Sequence, residues 1–192
     1  MTENRLKKLN FGAGKDIRNG WDNVDRENFD FNKFPYPIKT NAYDEIEARQ
    51  VLQLLDNPER VLQELWRISK SNSIIYIQIA YFNNKGAHND IKTKYYFNEN
   101  SFKFFVEHPA ETSHEKLFEI ISLYREPSWF LKWCPNWILD KIDLFLSGIY
   151  QDIHVKLKVK KLGQERSHKY GTPPPGISRE TTKFFSRTFL TL

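Results

Sequence analysis

A chain of 192 residues, 40% hydrophobic and 28% charged, has the size and balance of one globular domain and excludes a largely disordered protein. No apolar run reaches the roughly 20 residues of a membrane-spanning helix, the N-terminus does not read as a signal peptide, and a soluble, cytoplasmic protein is the expectation. The single Cys134 excludes an internal disulfide and a cysteine-cluster metal site, and no metal ligand set is expected. The net charge of +5 would suit an anionic partner, but Lys156, Lys158 and Lys160 alternate with Val155, Leu157 and Val159. That is the solvent face of a half-buried strand, which argues against a nucleic-acid partner.

In chain order, LKKLNF (6–11) reads as a short strand ending at Gly12, and WDNVD (21–25) as a second. Pro35 and Pro37 exclude a helix interior in the next segment and favour an extended loop. A strand resumes at Tyr43 to Glu47. In NPERVLQELWRISK, Asn57 is a cap, Pro58 fits the first turn, and Val61, Leu62, Leu65, Trp66 and Ile68 recur at helical spacing. SNSIIYIQIA (71–80) is a β-branched run whose continuous apolarity predicts a central parallel strand buried on both faces. A polar loop leads to a helix capped by Asn98 or Asn100, and residues 116–124 and 152–162 read as further strands. Alternation of strands and helices implies an α/β fold with a largely parallel sheet, whose ligand sits at the carboxyl ends of the strands.

Gly12 and Gly14 directly follow the first strand, where the absence of side chains lets a ligand approach the backbone. An ordinary strand-end turn would use the same residues. Asp25, at the end of the second strand, is placed to accept hydrogen bonds from a ribose diol. A dinucleotide fingerprint would need a third glycine where Ile17 stands, and an acid about 20 residues on. Asp25 arrives sooner, and the interval can barely supply the helix N-terminus that a pyrophosphate uses. The spacing disfavours NAD and favours a nucleoside without phosphates.

LNFGAG, GWDNVD, FPYP followed by YDEI, the NPERVLQELWRISK helix and the IIYIQIA strand, in that order, resemble a small class I S-adenosylmethionine-dependent methyltransferase of the type 11 group. The resemblance covers residues 7–106 and, more loosely, 116–162. It implies an α/β, Rossmann-like three-layer fold with a mostly parallel, trimmed sheet ending in an antiparallel strand pair. The domain would span 1–162, with 128–150 an aromatic helical insertion or lid and 163–192 an irregular C-terminal extension. The implied cofactor is S-adenosyl-L-methionine, with S-adenosyl-L-homocysteine as product. Gly12, Ala13 and Gly14, preceded by Phe11, would form the methionine-side loop, and Asp25, followed by Arg26, the ribose acceptor. Asp30 and Phe31 would lie by the adenine, and Glu47 to Gln50 would line the sulfonium side. Gln53 and Leu54 stand where many members have a Glu-His pair, and Ser71 and Asn72 where they have a Pro-Gly-Gly turn. Parallel strands normally need a dozen or more residues between them, so the FPYP segment is expected to replace a regular third strand and to leave a thin wall beside the adenine.

Methyl transfer from a sulfonium asks the protein for alignment and, where the acceptor carries a proton, for a base. His88 and Asp90, in the loop after IIYIQIA, are the candidates, although a polar surface loop can carry a histidine without using it. The insertion holds Trp129, Phe130, Trp133, Trp137, Leu144 and Phe145 among other apolar residues, too many for a solvated connector. It reads as a lid over the acceptor pocket, as an interfacial helix in peripheral contact with a membrane, or as a dimer seam, so monomer and homodimer both stay open. The acceptor is expected to be a small molecule, a glycan or a lipid-linked group methylated at oxygen. The competing expectation is a non-catalytic scaffold that keeps the fold.

Overall fold

The computed structural model describes residues 6–108 and 117–161. A six-stranded sheet forms its frame, built from β1 (Lys8–Phe11), β2 (Asp22–Val24), β3 (Tyr43–Arg49), β4 (Ser69–Ala80), β5 (Phe118–Pro127) and β6 (Tyr150–Val159). Their spatial order is β2-β1-β3-β4-β6-β5. The first four strands run parallel, while β6 is antiparallel to both β4 and β5. This is the α/β, Rossmann-like arrangement with a trimmed, mostly parallel sheet and an antiparallel end that the sequence implied. Among the described residues no helix is long and apolar enough to cross a membrane. The extension expected from residue 163 lies outside the described residues.

The helices are α1 (Pro58–Ile68), α2 (Glu99–Glu107) and α3 (Asn136–Asp143). Asn57 caps α1 by accepting the Arg60 N–H at 2.9 Å, with Pro58 in the first turn as the sequence predicts. Asn98 and Ser101 form a reciprocal capping box at the start of α2. Val61, Leu62 and Leu65 of α1, Phe102 and Val106 of α2 and Leu139 of α3 join one core with Ile75, Ile77, Ile79, Val155 and Leu157 of the sheet. All three helices therefore lie on one face.

The opposite face is served differently. Along β4, Ser73, Ile75, Ile77 and Ile79 are buried while Ile74, Tyr76, Gln78 and Ala80 are only half-buried, so the strand predicted to be covered on both faces is covered on one. The cause is chain length: residues 12–21 link β1 to β2 with no helix, and residues 25–42 link β2 to β3 with none. The described residues thus supply the sheet and one helical layer of the three-layer scheme.

The connection from β2 to β3 is pinned from below. The Phe31 ring stacks on Phe11 with centroids 4.1 Å apart, and Tyr36 packs against both. The Tyr36 N–H donates to Glu64 at 2.9 Å, and the Arg67 guanidinium reaches Glu64 (2.8 Å) and the carbonyls of Tyr36 (3.0 Å) and Ile38 (2.9 Å). Two helix residues therefore hold a proline-containing loop that cannot hold itself by a strand ladder.

Burial pushes the Glu64 carboxyl up, but Arg67, the Tyr36 N–H and Arg60 together outweigh it and leave the group below its ordinary value of 4.5. Its stabilisation is therefore complete above pH 4.5 and is lost as pH falls through the lower folded value. Glu64→Gln should lower stability at pH 7 by about 3 kcal/mol and flatten the acid limb of a denaturation series. Equal acid limbs in the two proteins would exclude this role.

Candidate cofactor site

β1 ends in a turn whose geometry is set by one carbonyl. The N–H groups of Gly12 and Ala13 both donate to Val24 O, at 2.9 and 3.0 Å. The pair ties the end of β1 to the end of β2 and puts Asp25, the next residue, beside the glycine turn. Gly12 has φ +76, and a Cβ added there would stand 2.6 Å from Val51 Cγ2. The first glycine is thus required by the close approach of the chain after β3. Gly14 also has a positive φ, +51, but nothing lies within 4 Å of where its Cβ would be. Its backbone is the part of the turn left open for a ligand.

Asp25 is half-buried, and its Oδ1 accepts the Arg26 N–H at 2.8 Å. No bond occupies Oδ2 among the described residues, as a ribose-binding carboxylate requires. Arg26 and Asp30 are exposed, and Asp30 caps its own turn through the Asn32 N–H at 3.0 Å. The rings of Phe11 and Phe31 are buried, 0% and 4% exposed, and stack on each other. They support the floor and the β2–β3 loop from within the core. Ala13 is buried and held through its N–H.

Glu47 and Gln50 diverge from the turn. Glu47, buried on the helix-free face, pairs with Arg18 of the β1–β2 connection and with Arg49 at 2.5 Å. Gln50 accepts the Ala80 N–H at 3.0 Å and donates to Asp152 at 3.1 Å, so it ties β3 to β4 and β6. Gln53 lies in the 3-10 turn Leu52–Leu54, directly after Val51, the residue packed on Gly12. Its Oε1 is buried without a hydrogen-bond partner among the described residues. Gln53 stood out in the sequence only as a departure from a family pattern. Val51 carried no signal, since its part is a contact with Gly12.

The loop after β4 closes on this region. Lys94 N–H donates to Gln53 O at 2.8 Å, Tyr95 OH to Asp56 O at 2.8 Å, and Lys94 pairs with Asp56. His88 is exposed, stacks on Tyr96 with centroids 4.6 Å apart, and has Nε2 3.2 Å from Phe82 O. A carbonyl only accepts, so Nε2 is the donor in this contact. Asp90 receives the N–H of Lys92 at 2.9 Å. His88 and Asp90 share a loop without bonding to each other, to Asp25 or to the glycine turn.

A cavity of about 760 Å³ opens on the helix-free face, lined by Glu47, Arg49, Tyr76, Tyr124 and Lys156 among others. It does not include the glycine turn. Beside it, His154 is bonded through Nδ1 to Tyr76 OH and through Nε2 to Glu126 at 3.0 Å, with Tyr124 stacked on its ring at 4.7 Å. Lys132 first, and His154 further, hold the Glu126 carboxyl below its ordinary value against an opposing effect of burial. Glu126, Asp152 and His154 bring ligand-capable atoms within 4.8 Å of one another. The sequence concealed this cluster because Asp152 and His154 alternate with core residues on β6 while Glu126 lies on β5.

The open backbone at Gly14, the unoccupied Asp25 oxygen and the orphaned Gln53 acceptor fit the donors of a nucleoside-linked amino acid. Solved structures share the fold. A S-adenosylmethionine-dependent methyltransferase from Archaeoglobus fulgidus matches with a TM-score of 0.54 and 16% identity, over 81% of this chain and 87% of that one. A candidate methyltransferase from Bacillus halodurans matches at 0.56 and 11%, over 83% and 94%. The [4+2]-cyclase SpnF matches at 0.52 and 11%, over 81% and 74%. No protein-family model and no curated protein matches the chain. The fold is that of the class I, Rossmann-like methyltransferases.

Gly12→Ala should be destabilising, combining the roughly 1–2 kcal/mol cost of a left-handed non-glycine residue with displacement of Val51. Gly12→Ala/Val51→Ala should recover the steric share in thermal denaturation, relative to Val51→Ala alone. A penalty of the same size in both backgrounds would show that Val51 is not what the glycine accommodates.

Proposed function

We propose that the protein transfers a methyl group from S-adenosyl-L-methionine to a small-molecule, glycan or lipid-linked acceptor, at oxygen. The observation that carries this reading is the double hydrogen bond to Val24 O, which sets the glycine turn beside Asp25 at the carboxyl ends of β1 and β2. Ligands of open α/β sheets sit at that edge. The backbone at Gly14, positioned by Ala13, would hold the methionine side, Asp25 the ribose hydroxyls, and Gln53 Oε1 a donor such as the ammonium. The bound cofactor supplies an electrophilic methyl on a sulfonium centre.

The chain's own residues then align the acceptor and remove its proton. His88, its Nε2–H donating to Phe82 O, offers Nδ1 as the base for a hydroxyl, and Asp90 in the same loop is the second proton acceptor. The loop carrying both is anchored to Gln53 and Asp56. A fold shared with a [4+2]-cyclase does not fix the reaction; the glycine turn and Asp25 support cofactor binding, and His88 with Asp90 the proton transfer.

A non-catalytic scaffold is the second reading. It draws on the Phe11–Phe31 stack, which turns both rings into the core, and on the absence of a Glu-His pair at Gln53 and Leu54. Calorimetry separates the two. S-adenosyl-L-homocysteine should bind the full chain, and Asp25→Ala should weaken it about 10- to 100-fold, the worth of a charged acceptor. No binding by the unaltered chain would leave the scaffold, and unchanged affinity in Asp25→Ala would remove Asp25 from the site.

A further inference from the structure

The segment between β5 and β6 keeps its apolar side chains outside. Trp133 is 96% exposed, Phe145 86%, Leu144 79%, Trp129 73%, Trp137 64% and Phe130 60%, whereas only Leu139 of α3 is fully buried. A lid packed on the sheet would bury these residues. Exposure of this density costs a soluble surface its compatibility with water and marks a docking surface.

Both acids of the segment are paired. Arg125 of β5 engages them: Asp140, itself exposed, accepts from its Nη2 at 2.6 Å and Asp143 lies 3.7 Å from its Nη1. Tyr150 and Tyr81 add hydroxyl donors to the same two acids. Lys132 and Lys141 stay exposed, Lys132 paired with Glu126 at 3.0 Å and Lys141 with its ammonium 5.6 Å from the Trp137 ring centre. The exposed surface of the segment carries indole, phenyl and leucine side chains with ammonium groups among them, while both its carboxylates are engaged by Arg125 and by tyrosine hydroxyls.

We infer that residues 128–147 dock the protein on a membrane surface, with the aromatic side chains in the interfacial zone of the bilayer and Lys141, beside Trp137, at anionic headgroups. Indole and ammonium groups together suit that zone, where one end of a side chain is apolar and the other wet. A protein partner is the poorer occupant. A protein interface needs a partner surface of matching shape, whereas Trp133 and Phe145 project almost entirely free of their own chain, with nothing of it around them to hold them in one shape. A bilayer takes up side chains that project singly without needing a matching shape. The inference stands without the methyltransferase reading, which the homocysteine calorimetry tests separately.

Flotation of the full chain with phosphatidylcholine vesicles, with and without phosphatidylglycerol, is the experiment. The unaltered chain should float with the anionic vesicles, less so in high salt, and its tryptophan emission should shift to the blue. Trp133→Ser/Phe145→Ser, which removes two side chains that the fold does not use, should weaken partitioning on the order of tenfold or more with an unchanged melting temperature. A chain that stays with the unbound fraction and an emission unmoved by either vesicle would overturn the inference. So would a dimer, by light scattering, that the double variant abolishes, because a second copy would then be the occupant.

Discussion

One carbonyl organises the carboxyl edge of β1 and β2, on which the proposed function rests. Val24 O receives the N–H groups of Gly12 and Ala13, and with them two strands joined only by residues 12–21 are locked together at their carboxyl ends. The lock stands in for the helix that such a crossover normally carries. It also fixes the positive φ of Gly12, against which Val51 packs, and so brings the chain after β3 to the same point. Three loops meet there because one acceptor leaves the turn little choice of conformation.

The same economy of chain explains the rest of the architecture. With no helix between β1 and β3, the helix-free face of the sheet must be compatible with water, and it is furnished accordingly. Glu47 pairs with Arg18 and Arg49, Lys70 with Asp44, and His154 with Tyr76 and Glu126. The core lies wholly on the other side, where α1 both packs on β4 and restrains the β2–β3 loop through Glu64 and Arg67. A helix therefore positions the wall beside Asp25 from a distance, and the loop's own aromatic rings serve as its packing.

Local signals carried most of the fold. Asn57 and Pro58 marked α1, the alternation of Val155 to Val159 marked β6, and Gly12 marked the end of β1, which the structure ties to Val24 beside Asp25. What escaped was long-range. Ile74 and Tyr76 read as a two-sided buried strand, because periodicity cannot show whether a covering helix exists. Phe31 and Glu47 sit at the expected places in the chain, yet one turns into the core and the other toward Arg18. The contacts of Gly12 with Val51 and of Arg125 with Asp140 join residues whose pairing no spacing rule encodes.

The central claim is that the turn held by Val24 O, with Asp25, is where a nucleoside-linked methionine binds. Backbone amide NMR during titration with S-adenosyl-L-homocysteine tests it most directly. The account predicts the largest shifts at Ala13, Gly14, Asp25, Arg26 and Gln53, with the amides around Tyr76 and Lys156 unmoved. Shifts centred on the helix-free face, or none at the turn at saturating ligand, would contradict it.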